Sequence, residues 1–107
     1  MAKLFEAEYT KEAMEQLSLL SLPYKSKIIE AINIFEHVGI AYKNINNLGD
    51  GLHEIKPKDV RAYFRYYKNR IIIVGFIVLK KTQKAPKRYM EQANVNIKNY
   101  IKEIKNG

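Results

Sequence analysis

The stretch that decides the fold is IIIVGFIVLKKTQKAP, residues 71–86. Nine nearly unbroken apolar residues, Ile71–Leu79, run directly into Lys80, Lys81 and Lys84, and Pro86 ends the segment. A run of this length that is rich in Ile and Val and bounded by turn signals is typical of a strand buried on both faces. The sequence therefore predicts an interior strand that carries ammonium groups to one edge of the fold.

Length and composition indicate a single globular domain over residues 1–107. The chain is 47% hydrophobic and has no cysteine, so it forms neither a disulfide framework nor a thiolate metal site. We expect an intracellular, cytoplasmic location, which fits the absence of cysteine. The N-terminus lacks the apolar core of a signal peptide, and the longest apolar run is far shorter than the roughly 20 residues that span a bilayer. We therefore expect no membrane partner.

The net charge of +8 is concentrated in the second half of the chain. Residues 1–55 hold 5 Lys against 8 carboxylates, a balance of −3, whereas residues 56–107 hold 14 Lys and Arg against 3 carboxylates, a balance of +11. A basic half of this size favours an anionic partner such as nucleic acid. A solvated, lysine-rich surface is the alternative, and the charge alone does not decide between them.

The periodicity of apolar residues predicts an α+β domain. In residues 3–9 the side-chain character alternates as in a strand, and Thr10 is suited to cap a first helix. A second helix is predicted between Pro23 and Gly39. Its apolar stripe is Ile28, Ile32, Phe35 and Val38. Residues 40–51 are predicted as a loop. Three meandering strands follow at residues 52–56, 60–68 and 71–79, and then a helix begins after Pro86. We expect the helices to pack on one face of the sheet.

Alternation along residues 60–68 places basic and aromatic side chains together. Because side chains alternate across a strand, Arg61, Tyr63, Arg65 and Tyr67 share one face. The opposite set, Ala62, Phe64 and Tyr66, is expected to meet the helices. The first set then forms a stripe on the open face of the sheet, where guanidinium groups bind phosphates and tyrosines stack on bases. A solvated sheet face is the structural alternative.

Three motifs give the chain a family resemblance. They are LGDGLHEI at residues 48–55, RAYFRYY at residues 61–67 and GFIVLKKTQKAP at residues 75–86. Together they resemble the RelE/HigB-type toxins of type II toxin–antitoxin systems, and more narrowly the phage-derived, host-inhibition-like branch. The resemblance implies a RelE-like fold. It also implies a ribosome-dependent mRNA endonuclease that needs no metal or cofactor, with a cognate antitoxin, the ribosome and mRNA as partners.

The chemistry implied by the resemblance is attack of the RNA 2′-OH on the adjacent phosphorus. The protein must help to remove the 2′ proton, stabilise the phosphorane and protonate the 5′ oxygen. The residues that the resemblance indicates for catalysis are Arg61, Arg65, Lys56 and Tyr67. Those that it indicates for RNA binding are Lys58, Lys80, Lys81, Lys84, Tyr63 and Tyr89.

Three alternatives remain open in the sequence. Lys80 and Lys81 point to opposite sides of a strand, and either one can face the cleft. His53 alternates with Ile55, which favours a packed histidine over a catalytic one, although an unperturbed pKa near 6.5 also suits acid–base chemistry. Finally, a non-catalytic binding module of the same fold, one that inhibits a host protein or binds nucleic acid, is the alternative to the nuclease.

Overall fold

A computed structural model describes residues 2–80 and 86–106 of the protein. Its strands are β1 (Glu6–Tyr9), β2 (Ile45–Gly49), β3 (Leu52–Ile55), β4 (Val60–Tyr67) and β5 (Ile71–Leu79), and its helices are α1 (Lys11–Leu19), α2 (Leu22–Val38) and α3 (Lys87–Asn106), with a short 3₁₀ turn at Gly39–Ala41. In the described ranges no helix is both long and apolar enough to cross a membrane.

The sheet confirms the predicted α+β class. The five strands lie in the order β1-β5-β4-β3-β2, so β5 and β4 are interior strands. Strand β1 pairs with β5 in parallel, and the other neighbours are antiparallel. The prediction of a loop over residues 40–51 is wrong, because Ile45–Gly49 forms an edge strand. Ile45 packs on the core and Asn46 bonds to β3, so tertiary contacts outweigh the weak strand propensity of Asn and Gly.

The helix boundaries follow local chemistry. The Thr10 side chain accepts a hydrogen bond from the Ala13 N–H and so caps α1, as predicted. Pro23 lies in the first turn of α2, and Gly39, with φ of +60°, ends that helix. The expected buried stripe of α2 is confirmed at Ile28, Ile32 and Phe35 but is wrong at Val38, which is 42% exposed because it lies where the helix leaves the sheet.

Helices cover both faces of the sheet, contrary to the prediction that all of them share one face. Helices α1 and α2 pack on the face that carries Ala62 and Phe64. Helix α3 packs on the opposite face, with Ala93 and Ile97 against Tyr63. The reason is that β5 is apolar on both sides, and each side must be covered to exclude water.

A bulge at Gly75 lets α3 approach the sheet. Tyr63 pairs with Phe76 while Phe64 pairs with Val74, so Gly75 is the extra residue on β5. A Cβ at Gly75 would lie 2.5 Å from Ile97 Cγ1 and 2.7 Å from the Ala93 carbonyl oxygen. The buried Asn96 side chain donates a hydrogen bond to the Gly75 carbonyl at 2.8 Å. The absence of a side chain at Gly75 therefore sets the distance between α3 and β5.

Candidate functional site

Basic and polar side chains from three neighbouring strands meet on the face of the sheet that α3 covers in part. We call this group the Arg61 cluster. Its members are Glu54, Lys56, Arg61, Tyr63, Lys80 and Tyr89. Glu54 pairs directly across from Tyr63, and Arg61 pairs with Val78, two residues before Lys80. Alternation on β4 thus brings Arg61 and Tyr63 to one face, as predicted, and the pairing of β3 with β4 adds Glu54 and, directly after β3, Lys56.

The face that was expected to be open is closed at its centre. Tyr63 is fully buried, because it packs against Ala93 and Ile97 of α3 and beside the ring of Phe76 on the next strand. Arg61 is only 6% exposed. Tyr63 therefore has no ring face available to an RNA base, and its expected role in stacking is not retained. Burial together with the nearby Glu54 carboxylate raises the pKa of the Tyr63 hydroxyl well above its ordinary value, so it stays protonated.

Arg61 is held from the side of the β3–β4 turn. Its Nη1 donates hydrogen bonds to the carbonyl oxygens of Lys58 and Val60. Lys58 has a φ of +60°, in the left-handed region, which turns its carbonyl toward the guanidinium while its own side chain stays exposed. The geometry makes Arg61 a fixed positive charge under the site, and it leaves the half-buried Lys56 and the exposed Lys58 as the cations nearer to solvent.

Lys80 is the lysine of the 71–86 stretch that joins the cluster. It is 5% exposed, and its backbone N–H donates to the Asp59 carbonyl at 2.5 Å. Burial lowers the pKa of Lys80, the positive charges of Arg61 and Lys56 lower it further, and the Glu54 carboxylate opposes them. A lysine whose pKa is lowered in this way is suited to exchange a proton nearer to neutral pH. Lys81 and Lys84 lie outside the residues that the structure describes.

Glu54 is a member of the cluster that the sequence interpretation did not name. Its carboxylate is 1% exposed, and Oε1 accepts a hydrogen bond from the Asn46 amide of the edge strand at 3.0 Å. The signal was available, because alternation on β3 puts Glu54 on the same side as Lys56 and opposite His53. A buried carboxylate among cations is costly unless it is compensated, so its presence here calls for a role.

Arg65 belongs to a second site, which we call the Arg65 groove. Arg65 lies four residues beyond Arg61 on the same strand, about 13 Å away at the rise of a β-strand. It donates from Nη1 to Asn94 Oδ1 at 3.0 Å. The groove has a volume of about 440 Å³ and is lined by Arg65, Asn94, Ile97, Lys98, Ile101, Lys102 and Lys105. Its floor is apolar and its rim is cationic.

The two candidate tyrosines lie at different ends of this face. Tyr89, in the first turn of α3, stacks on Phe76 with a centroid distance of 5.2 Å and has the Arg88 guanidinium 5.1 Å from its ring centre. Tyr67, at the end of β4, has the Lys68 ammonium 5.3 Å from its ring centre. Because Tyr67 lies six residues beyond Arg61 on the strand, the structure associates Tyr89, not Tyr67, with the Arg61 cluster.

His53 is a packed histidine. Its ring stacks on Phe64 and meets Tyr66 edge-on, at centroid distances of 5.4 and 5.0 Å, on the face opposite Arg61. Burial lowers the pKa of His53, and the Arg65 charge lowers it further. This confirms the preference for packing over catalysis. No group of three or more His, Cys, Asp or Glu side chains within residues 2–80 and 86–106 is arranged to hold a metal ion.

Comparisons with known proteins agree with this architecture. Residues 15–98 match the family model of the phage-derived Gp49-like proteins (DUF891). No curated protein sequence matches the chain. The fold is similar to that of RelE in the archaeal RelE–RelB complex from Pyrococcus horikoshii OT3, with a TM-score of 0.62 and 18% identity over 77% of this chain and 99% of that one.

A second solved structure gives the same result. It is the toxin–antitoxin complex RelBE2 from Mycobacterium tuberculosis, with a TM-score of 0.52 and 13% identity over 77% of this chain and 97% of that one. At these identities the similarity is one of fold, whereas the family model covers most of the sequence. The chain therefore belongs to the family of phage-derived Gp49-like proteins and has the RelE toxin fold.

Proposed function

We propose that this protein is the toxin of a toxin–antitoxin pair and that, as a single RelE-like domain in the cytoplasm, it cleaves mRNA on the ribosome without a metal ion. The observation that carries the proposal is the Arg61 cluster on one face of a RelE fold. There Arg61 of β4 lies between Lys56, directly after β3, and Lys80, directly after β5. Converging cations are what a phosphorane needs, because its negative charge must be stabilised as it develops.

The cluster suggests a division of roles. Arg61, buried and held by the β3–β4 turn, supplies a fixed positive potential beneath the phosphate. Lys80 in its protonated form stabilises the phosphorane and gives a proton to the 5′ oxygen, for which a lowered pKa is favourable. The proton of the attacking 2′-OH passes to solvent water. Lys56 and Lys58, nearer to solvent, bind the phosphates on either side, and Tyr89 offers a ring for stacking.

The Arg65 groove extends the basic surface along α3. Its cations, Arg65, Lys98, Lys102 and Lys105, are spaced over several turns of helix and suit contacts with the RNA backbone. A cognate antitoxin is the proposed protein partner. Support for that partner comes from the two solved relatives, which are a RelE–RelB complex and a toxin–antitoxin complex.

Primer extension on a translated mRNA tests the proposal. The wild-type protein should produce stops inside codons of the translated region and none on the same RNA without ribosomes. Lys80→Met should weaken those stops by about 100-fold, the loss expected when a donor to the reacting phosphate is removed. Arg65→Ala removes a backbone contact of the Arg65 groove and should weaken them less. Arg70→Ala is the matched control for Arg65→Ala, because Arg70 lies in the β4–β5 turn, where its Nη2 donates to the Lys3 carbonyl. Intact transcripts with wild-type protein would refute the nuclease.

The alternative, a non-catalytic module of the same fold, is favoured by one observation. Arg61 and Tyr63 are buried and held in place, so a host protein that bound this domain would contact its exposed residues and not these two side chains. In that case expression would stop growth while transcripts remained intact, and Lys80→Met would leave the growth arrest unchanged.

A further inference from the structure

In residues 2–80 and 86–106, the buried side-chain atoms that lack a hydrogen-bond partner fall in one place. Within the described part of the chain, three buried side-chain atoms have no hydrogen-bond partner: Glu54 Oε2, Arg61 Nε and the Tyr63 hydroxyl. All three belong to the Arg61 cluster and lie on adjacent strands of one sheet face. Buried polar groups are normally paired, and departures concentrate where a polar arrangement is kept for a purpose other than stability.

The charges of the cluster are also unbalanced. Among the described side chains, those that act on Lys80 include Glu54 of β3, Lys56 directly after it, Arg61 of β4 and Tyr89 of α3. The Asp59 carbonyl accepts the Lys80 backbone N–H. Among the ionised side chains of that set, Glu54 is the carboxylate and the others are cations. Its Oε1 is fixed by Asn46, so the carboxylate is oriented by a neighbour that carries no charge.

We propose that Glu54 is a positioning residue of this site, whose buried carboxylate supplies the counter-charge that keeps the Lys80 ammonium and the Arg61 guanidinium together beneath the bound phosphate. The proposal rests on the nuclease function above. Glu54 does not reach the substrate, because its side chain is 1% exposed, and it acts through Lys80. Without it, Lys80, Arg61 and Lys56 would repel one another in a region that water does not screen.

The variant Glu54→Gln separates charge from shape. A glutamine keeps the oxygen that accepts the Asn46 hydrogen bond, and it removes the negative charge. Glu54→Asp keeps the charge. The matched control is Glu36→Gln, since Glu36 is also buried and accepts from the Ala7 N–H, pairing with Lys3 at 3.6 Å on a different part of the fold.

The first measurement is the titration of Lys80 itself, followed by its ¹³Cε resonance and assigned with Lys80→Arg. We expect Lys80 to lose its proton at lower pH in Glu54→Gln than in the wild type, and to titrate normally in Glu36→Gln. An unchanged Lys80 titration in Glu54→Gln would overturn the proposal. This measurement needs no cleavage, so it decides the role of Glu54 even if the nuclease function fails.

A stability cycle covers the case in which Glu54→Gln folds poorly. Unfolding in urea is measured for Glu54→Gln, Lys80→Met and the double variant. If the two charges are coupled, the double variant is less destabilised than the sum of the single variants, because Lys80→Met removes the repulsion that Glu54→Gln creates. Strictly additive effects would refute the coupling.

Single-turnover cleavage then links position to function. At alkaline pH we expect Glu54→Gln to lower kcat by about tenfold or more, with KM changed by less than about threefold. The alkaline loss of activity should also move to lower pH, because Lys80 must be protonated to act. Glu54→Asp should restore most of the rate. A wild-type pH profile in Glu54→Gln would leave the nuclease standing and refute the positioning role, whereas no cleavage by the wild type would refute the nuclease alone.

Discussion

Gly75 lies directly under Ile97, so that a Cβ on this glycine would come within 2.5 Å of Ile97 Cγ1. The contact joins β5 to α3 at the bulge. The residues before and after the bulge have different roles. Ile73 on one side packs in the core under α3, and on the other side the chain continues through Val78 to Lys80. The distance between strand and helix thus governs how the Arg61 cluster is covered.

Gly75→Ala should be among the more damaging single substitutions in the fold. The added methyl group must displace Ile97 and the Ala93 carbonyl, and we expect the free energy of unfolding to fall by about 2–3 kcal/mol. Gly49→Ala is the control, because nothing lies within 4 Å of its Cβ position. Its φ of +95° is unfavourable for alanine and should lower the free energy of unfolding by about 1 kcal/mol. Urea denaturation measures both, and equal losses would contradict the close packing of α3.

Tyr100 should make stability depend on alkaline pH. Its hydroxyl donates to Glu8 Oε1 at 2.7 Å and so ties α3 to β1, and burial with this hydrogen bond raises the pKa of Tyr100 to about 12. In the unfolded chain the tyrosine ionises near pH 10, so the unfolded state releases its proton first and stability falls between about pH 10 and pH 12. Tyr100→Phe should cost about 1 kcal/mol at pH 8 and flatten that decline. Denaturation at pH 8, 10 and 11 measures both effects.

The same decline has other contributors, which gives a check. Burial, with the nearby Glu36, raises the pKa of Tyr9 to about 12 as well, and burial also raises the pKa of Tyr63 and of Tyr66 above the ordinary value. Tyr100→Phe should therefore remove part of the alkaline decline and leave the rest. Complete loss of the decline in this single variant would contradict the assignment to several tyrosines.

His53 should make the fold less stable in mild acid. Because burial and Arg65 lower the pKa of His53, the folded state binds the proton less readily than the unfolded state. The contribution of neutral His53 to the free energy of unfolding is therefore complete above about pH 6.5, the ordinary pKa of histidine. It is lost as the pH falls below that value. His53→Phe keeps the stacking on Phe64 and should reduce the difference in urea midpoint between pH 7.5 and pH 5. It should also retain cleavage, and loss of cleavage in a folded variant would restore His53 as a catalytic candidate.

Binding of single-stranded RNA should weaken with salt in proportion to the phosphates contacted. Removing Lys98 and Lys102 from the Arg65 groove should reduce the slope of log affinity against log salt by about 1.4, at roughly 0.7 per phosphate contact. Lys25→Ala with Lys43→Ala is the control, because both residues lie off α3 and neither lines the Arg65 groove. Filter binding at 50–200 mM salt measures the slope. Equal effects in both pairs would indicate binding by net charge alone.

Local patterns in the sequence determine most of the fold. The apolar run at Ile71–Leu79, the cap at Thr10 and the stop at Gly39 each act over a few residues, and the structure has the elements that they predict. The edge strand Ile45–Gly49 is the exception, because its Asn and Gly residues carry no strand signal of their own. It exists because β3 offers it hydrogen bonds and the core accepts Ile45.

The candidate site was predictable in its residue types and only in part in its arrangement. Alternation alone put Arg61, Tyr63, Arg65 and Tyr67 on one face of β4, because a strand repeats every two residues whatever surrounds it. The same rule puts Glu54 and Lys56 on one side of the preceding segment, but only the pairing of β3 with β4 brings that side to Arg61. What alternation could not provide was exposure, since that depends on which helix covers the face.

Tertiary structure alone decided three features. Helix α3 covers the face that bears Arg61, so a stripe expected to be open became a buried cluster with one cationic groove beside it. The bulge at Gly75 shifts the alternation of β5 by one residue and brings Lys80 to the side of Arg61. The burial of Glu54 among those cations follows from both. The sequence by itself determined which residues share a face of β3 and of β4, because that depends on neighbours along the chain. Coverage, register and the shifted alternation of β5 depend on contacts between residues far apart in the chain.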